Sequence, residues 1–340
     1  MNDEGATGGD GTVTDGTVTD DAVTDDTVTD DNARPGEGSG SDPPTIRGLW
    51  TSVRAAIRSC PPTDLFLIAL PLPTLLVAVS LMPGTDAWRL SLATGGVFES
   101  RWALWTAFAS SFVHASPGHL LDNLVNYWLL VAVAYPLSVV AGWRRRLFGV
   151  AAVYLAVVPL ASSWATIVAL GGLTNAPTAG FSDVNSALLG YVVVVWFAAL
   201  ATEAGGNGEI DGGLETKPAA PVVGVDARWS VVAALGSLAL AYLAPSGVGY
   251  FPSLPAVGSL FALCAALVAA ALVIGVGRPR VVGLDLSPER ELLYVTAASV
   301  AIAGVIGSLV IVPFGSNVFA HLAGYVVGVA VPLVGVVLDG

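Results

Sequence analysis

Asn317-Val-Phe-Ala-His321-Leu-Ala-Gly324-Tyr-Val-Val-Gly328 opens an apolar run that lasts to about Leu338. That is roughly the 20 residues a helix needs to cross a bilayer. A histidine near the end of such a run is costly in lipid, so it is expected to face a protein interior or a water-filled cavity. Gly324 and Gly328 share one helix face in a small-xxx-small pattern, which lets a second helix approach closely. His321 therefore stands about one turn from a tight helix contact, and the reading of the whole chain turns on what the other helix brings to it.

The rest of the chain is built the same way. Its 340 residues are 54% hydrophobic and 12% charged, the composition of an all-α polytopic membrane protein rather than of a soluble domain. The net charge of −12 is local: residues 1–46 hold twelve acids against Arg34, and the remaining fourteen acids face thirteen bases. That segment carries four pentapeptides ending in Val-Thr-Asp, between Gly11 and Asp30, and too little apolar surface to offset its ordering entropy. It reads as a disordered acidic tail, with a juxtamembrane segment at 47–63 and a transmembrane domain at 64–338. It has neither the basic start nor the apolar stretch of a signal peptide. Cys60 and Cys264 lie far apart, so no disulfide framework is indicated. No basic stripe with an aromatic platform points to nucleic acid.

Eight apolar spans are expected, at roughly 64–82, 118–141, 147–170, 182–201, 229–244, 256–276, 292–312 and 318–338, the fifth being short. With the N-terminus inside, twelve of the fourteen Lys and Arg residues fall in inner segments and only Arg89 and Arg101 outside. The positive-inside rule thus favours a cell-membrane protein with both termini cytoplasmic and a cytoplasmic loop at 206–228. The longest outer loop, about 83–117, carries Trp88, Trp102 and Trp105, as an interfacial segment would. Ser116 as N-cap and Pro117 at the first helical position begin the second span, with His119 in its first turn and Asn123 four residues on. Ser182 starts the fourth span behind Gly180-Phe181. All three histidines, His114, His119 and His321, then lie at one membrane level with Ser182.

Singly, each has a plain reading. His321 fits as a packing histidine, Ser182 as a helix cap, and His119 and Asn123 as interhelical hydrogen-bonding groups. Three histidines also fit zinc, but no HExxH pair or carboxylate at ligand spacing accompanies them, so no metal and no cofactor is expected. Acyl transfer uses all of them together. A serine hydroxyl needs an adjacent imidazole to take its proton, and the oxyanion it creates needs fixed donors. A helix N-terminus at Ser182 supplies amides and a favourable dipole, and His119 and Asn123 supply side-chain donors.

Three separated elements carry a resemblance to the rhomboid family of intramembrane serine proteases. They are His114-Ala-Ser-Pro-Gly-His119-Leu-Leu-Asp-Asn123, Gly180-Phe181-Ser182 with Ala187-Leu-Leu-Gly190 behind it, and Ala320-His321-Leu-Ala-Gly324-Tyr-Val-Val-Gly328. The resemblance implies a six-helix core with an extra helix pair, 229–276, inserted before the last two spans. It also implies a Ser182–His321 dyad, an oxyanion hole from His119, Asn123 and the Ser182 amide, and a supporting role for His114 at the first outer loop. Gly180, Gly324 and Gly328 would support the site. Substrates would be single-pass or polytopic membrane proteins, cut near the outer ends of their helices within the lipid bilayer, with no nucleic-acid partner.

The chain departs from the family pattern at several positions. Asp183 stands where a Gly is usual, and a side chain there is expected to crowd the helix contact and set a charge against the oxyanion. Ser186 replaces an aromatic that often stacks on the base. Thr106 follows Trp105 in place of Arg, and no acidic residue matches near Tyr135. These departures motivate an alternative, a catalytically silent relative that binds transmembrane helices and alters their trafficking or turnover. A transporter would need polar residues at mid-membrane in several spans, and almost none are present.

Overall fold

The computed structural model describes residues 61–206, 226–244, 254–275, 286–312 and 316–339. The acidic tail, most of the juxtamembrane segment, Cys60 and most of the 206–228 loop lie outside these residues. Seven helices among the described residues are long and apolar enough to cross a membrane. Among the described residues there is no strand, only a two-residue bridge between Leu90 and Thr178. This is the architecture of an all-α polytopic membrane protein.

The first span is two helices, α1 (Pro62–Ala69) and α2 (Pro71–Leu81). Pro71 and Pro73 supply no N–H to the turn before them, so the helix breaks at Leu70. The carbonyls left there are taken by side chains of the second span. Tyr127 Oη donates to the Ile68 carbonyl at 2.6 Å and Trp128 Nε1 to that of Ala69 at 3.1 Å.

The outer segment expected to be a loop contains a helix, α3 (Arg101–Ala109), capped by Ser100 Oγ accepting from the Ala103 amide at 3.0 Å. At nine residues it cannot cross a bilayer. Leu90, Leu92, Val97 and Ala107 bury together beneath the segment, while Trp88 meets Trp105 edge to face at 5.4 Å. A 3₁₀ turn, Ser110–Phe112, leads on to α4 (Pro117–Val140), where Ser116 Oγ accepts from the His119 amide at 3.2 Å as the sequence predicts.

At the other end of α4, Asp64 is 5% exposed and gathers three elements. It accepts from Tyr135 Oη at 2.9 Å and from both Nε and Nη2 of Arg144, the first residue of α5 (Arg144–Leu170). An acidic residue does therefore meet Tyr135, but it comes from the first span.

Helix α6 (Ser182–Gly206) is the central post: 83% of its apolar window is buried, against 17–56% for the other spans. It packs most extensively against α10 (Val318–Asp339) and then against α4. Glycines set that distance. A Cβ on Gly324 would fall 2.1 Å from the Asp183 carbonyl oxygen, one on Gly328 2.2 Å from that of Ala187, and one on Gly190 2.6 Å from that of Tyr325. Backbone meets backbone along the whole upper seam, as small residues allow in a membrane bundle. Tyr154 Oη from α5 closes the lower end by donating to the Gly328 carbonyl at 2.6 Å.

Helix α7 (Trp229–Leu243) differs from the expected fifth span. Its 15 residues reach about 22 Å, short of the roughly 30 Å hydrocarbon core. It stops because Ala244, which precedes Pro245, adopts φ −59° and ψ 139°, the extended conformation that a following proline favours. α7 packs mainly on α8 (Pro255–Gly275), with Gly258 held against Leu243. It also lies along α10, where Tyr242 covers Val318 and Phe319 and Tyr325 Oη donates to Ser237 Oγ at 3.3 Å.

Helix α9 (Pro288–Val305) continues into a π turn, Ile306–Val310, closed by the Ile311 amide on the Ile306 carbonyl at 2.7 Å. Its first turn meets the end of α6 through Arg290 and Glu203, 2.9 Å apart. Its last turn reaches the start of α10. The chain thus returns to the level of Ser182 just before the helix that carries His321.

Candidate active site

Ser182, His119 and His321 each sit in the first turn of a helix, and these helices run in the same direction, so the three side chains meet at one end of the bundle. Ser182 is the first residue of α6. The helix is entered through Gly180, at φ 134°, and Phe181, whose carbonyl accepts from the Asn185 amide at 3.1 Å. Only glycine adopts that φ without strain. Gly180 is needed for a second reason: a Cβ there would come 2.4 Å from His119 Cε1. Because Phe181 takes the capping position, the Ser182 hydroxyl is free to point elsewhere.

It points to His321. Ser182 Oγ lies 2.8 Å from Nε2, and Nδ1 lies 3.0 Å from the Ser308 carbonyl oxygen. A carbonyl only accepts, so Nδ1 carries the proton and Nε2 presents its lone pair to the Ser182 O–H. Ser308 lies in the π turn that ends α9, where the last carbonyls lack partners within their own helix. One of them therefore orients the imidazole. A main-chain oxygen has no signature in residue types, so this orientation is not legible in the sequence. Ser186 takes no part in it, because its hydroxyl donates to the Ser182 carbonyl at 2.8 Å.

Asn123 is 3% exposed and one turn below His119. Its Nδ2 donates to the His119 carbonyl at 3.1 Å, and Asn185 Nδ2 donates to its main-chain oxygen at 3.0 Å and to its Oδ1 at 3.2 Å. Asn185 thus holds the Asn123 carboxamide in place, a role with no signal in the sequence beyond a polar residue one turn after Ser182. His119, Asn123, Ser182 and His321 line one cavity of about 1310 Å³. Its walls include Leu121, Val125 and Leu129 of α4, Val300 and Ala303 of α9, and Gly307 of the π turn that follows it. Among the described residues no three His, Cys, Asp or Glu side chains gather around a position for a metal ion.

Asp183 behaves differently from the expectation. Its side chain does not enter the α6–α10 contact, which Gly324 makes with the Asp183 backbone, and it does not face the Ser182 hydroxyl. The buried carboxyl turns the other way and accepts from Ser111 Oγ at 2.7 Å, Ser162 Oγ at 2.5 Å and the Val184 amide at 2.8 Å. A helix start tolerates an acid well. These donors satisfy a group that would otherwise be expensive to bury.

His114 lies in the segment just ahead of α4, beside His119. Its ring meets that of His119 edge-on at 5.3 Å, and both its nitrogens are buried without a partner. Burial, aided by the neighbouring His119, pushes its pKa down to about 4, and the nearby Phe112 carbonyl only partly offsets this. The unfolded chain therefore binds a proton at higher pH than the folded one. This contribution to stability is complete above about pH 6.5 and is lost as pH falls toward about 4, a change of about 3 kcal/mol. Denaturation of wild type and His114→Phe across that range should show the difference, with the wild type losing more stability on acidification.

No family model, curated protein or solved structure matches the chain.

Proposed function

We propose that the chain is an intramembrane serine endopeptidase of the rhomboid kind that cuts transmembrane helices near their outer ends. The observation that carries this reading is the 2.8 Å contact between Ser182 Oγ and His321 Nε2, with Nδ1 committed to the Ser308 carbonyl. In the reaction, Ser182 Oγ attacks the scissile carbonyl carbon while its proton passes to Nε2. The resulting oxyanion is held by the Ser182 amide at the start of α6, with His119 and Asn123 as further donors. The imidazolium then gives its proton to the departing amine and the C–N bond breaks. Water, deprotonated by Nε2, attacks the acyl-enzyme, and Ser182 leaves with the proton returned to it.

A membrane-embedded substrate is favoured because the cavity is walled by apolar residues of two spans, α4 and α9, and the nucleophile starts a third. The six-helix core in this reading is the first span with α4, α5, α6, α9 and α10; α7 and α8 are the inserted pair. Charge supports an orientation: Arg144, Arg145, Arg146, Arg228 and Arg290 belong to the end away from Ser182, whereas Arg89 lines the cavity and Arg101 opens α3. In this reading the site lies at the outer face of the cell membrane and both termini in the cytoplasm.

The test is cleavage by the purified full chain in liposomes, with a panel of single-span segments bearing helix-breaking residues at different depths. Mass mapping should place the cuts in the outer part of the span. Cuts only in soluble, unfolded protein would contradict an intramembrane role.

A further inference from the structure

A run of polar groups along the wall of the same cavity joins Ser182 to His321 by a route that avoids both side chains. Its first half brackets Ser182. The Gly180 amide donates to the Ser110 carbonyl at 3.0 Å, and Ser111 Oγ donates to the Asp183 carboxyl at 2.7 Å. The residues on either side of Phe181–Ser182 are thus fastened to one 3₁₀ turn. Ser162 of α5 donates to the same carboxyl at 2.5 Å, and one turn on, Thr166 Oγ1 donates to the Ser162 carbonyl at 2.7 Å.

The second half reaches His321. Asn317 Nδ2 donates to Thr166 Oγ1 at 2.7 Å and to Thr178 Oγ1 at 3.2 Å, while Asn317 Oδ1 accepts from the Ala320 amide at 3.2 Å and so caps α10. The Asn317 carbonyl accepts from the His321 amide at 3.2 Å. Thr178 in turn makes both main-chain bonds to Leu90, at 3.0 and 2.9 Å, just ahead of Gly180. Asp183, Ser111, Ser162 and Thr166 are all at most 3% exposed, so water does not substitute readily for any lost partner.

We infer that Asp183 and Asn317 are positioning residues that fix the Ser182–His321 geometry through Ser162 and Thr166 on α5. The inference rests on Ser182 and His321 being nucleophile and base. It assigns Asp183 a supporting role in place of a silencing one. Glycine at 183 would leave Ser111 without its acceptor and release one side of the bracket.

The experiment measures fluorophosphonate labelling rates of Ser182 in the full chain alongside ¹⁵N spectra of histidine-labelled protein, in which only three histidines contribute. Asp183→Ala and Asn317→Ser should each slow the bond-forming step by about 10²-fold, the cost of a displacement near 1 Å, without weakening initial probe binding. Asn317→Ser keeps the cap but cannot reach Thr166. Because the two residues act through one network, the double variant should fall only to about the level of the worse single one. Asp183→Asn, which retains an oxygen for both hydroxyls, should recover to within about tenfold of wild type and guards against misfolding of the Ala variant. In the spectra, the His321 Nε2 signal should move toward that of an unbonded imidazole nitrogen in both single variants.

Wild-type rates and an unmoved Nε2 signal in Asn317→Ser would overturn the inference, as would fully multiplicative effects in the double variant. If wild type does not label but the Nε2 signal still moves in the variants, the protease reading fails and the positioning role stands. If neither is seen, both fail.

Discussion

Ser182→Ala and His321→Ala should each reduce cleavage of a transmembrane substrate by about 10⁴-fold or more, and combining them should cost little further. The two side chains share one proton across 2.8 Å, so either loss disables the same step. The contrast lies with the proposed oxyanion donors. His119→Ala and Asn123→Ala leave nucleophile and base in contact, and each should lower kcat by about 10²–10³-fold, the usual cost of one such donor. Substrate binding should change little in both, because an oxyanion exists only after attack. Steady-state kinetics in liposomes separates the two groups. Equal, small effects at all four positions would mean that the cleavage does not depend on these side chains.

The second large effect is expected from Gly328→Val. A Cβ at this position would lie 2.2 Å from the Ala187 carbonyl oxygen and 2.6 Å from the Ala187 Cα, both backbone, so no side chain can rotate aside. The helices must separate instead. α6 and α10 carry the proposed nucleophile and base, and a separation of about 1 Å at the seam should cost about 10²-fold in rate. It should also destabilise the bundle by about 1–3 kcal/mol, the range for overpacked sites. Gly149→Ala in α5 serves as the comparison, since nothing lies within 4 Å of a Cβ there. Thermal unfolding in detergent and the cleavage rate should both drop for Gly328→Val and hold for Gly149→Ala.

The sequence was most informative where chemistry and lipid conflict. A histidine and a serine at the ends of apolar runs stand out because hydrocarbon offers them no partner, and the structure places them in contact. The glycine seam was legible for the same reason, from Gly324 and Gly328 on one face. What escaped the reading was carried by backbone or by direction. The Ser308 carbonyl has no residue signature, and its availability depends on a π turn that ends α9. The Asp183 side chain was expected in the helix contact, but its rotamer is set by Ser111 and Ser162, which are 72 and 21 residues away in sequence. Helix α3, at nine residues too short for a span, was hidden inside the longest of the segments between spans. The shortness of α7 depended on Pro245, which stops the helix at Ala244.

The central claim is that His321 makes Ser182 a nucleophile. Treating the full chain in liposomes with a fluorophosphonate and mapping the adduct by peptide mass spectrometry tests it most directly. The account predicts a single phosphonylated residue, Ser182, in wild type and none in His321→Ala, although Ser182 remains present there. Labelling of Ser182 that survives His321→Ala, or a folded wild-type protein that does not react at all, would contradict it.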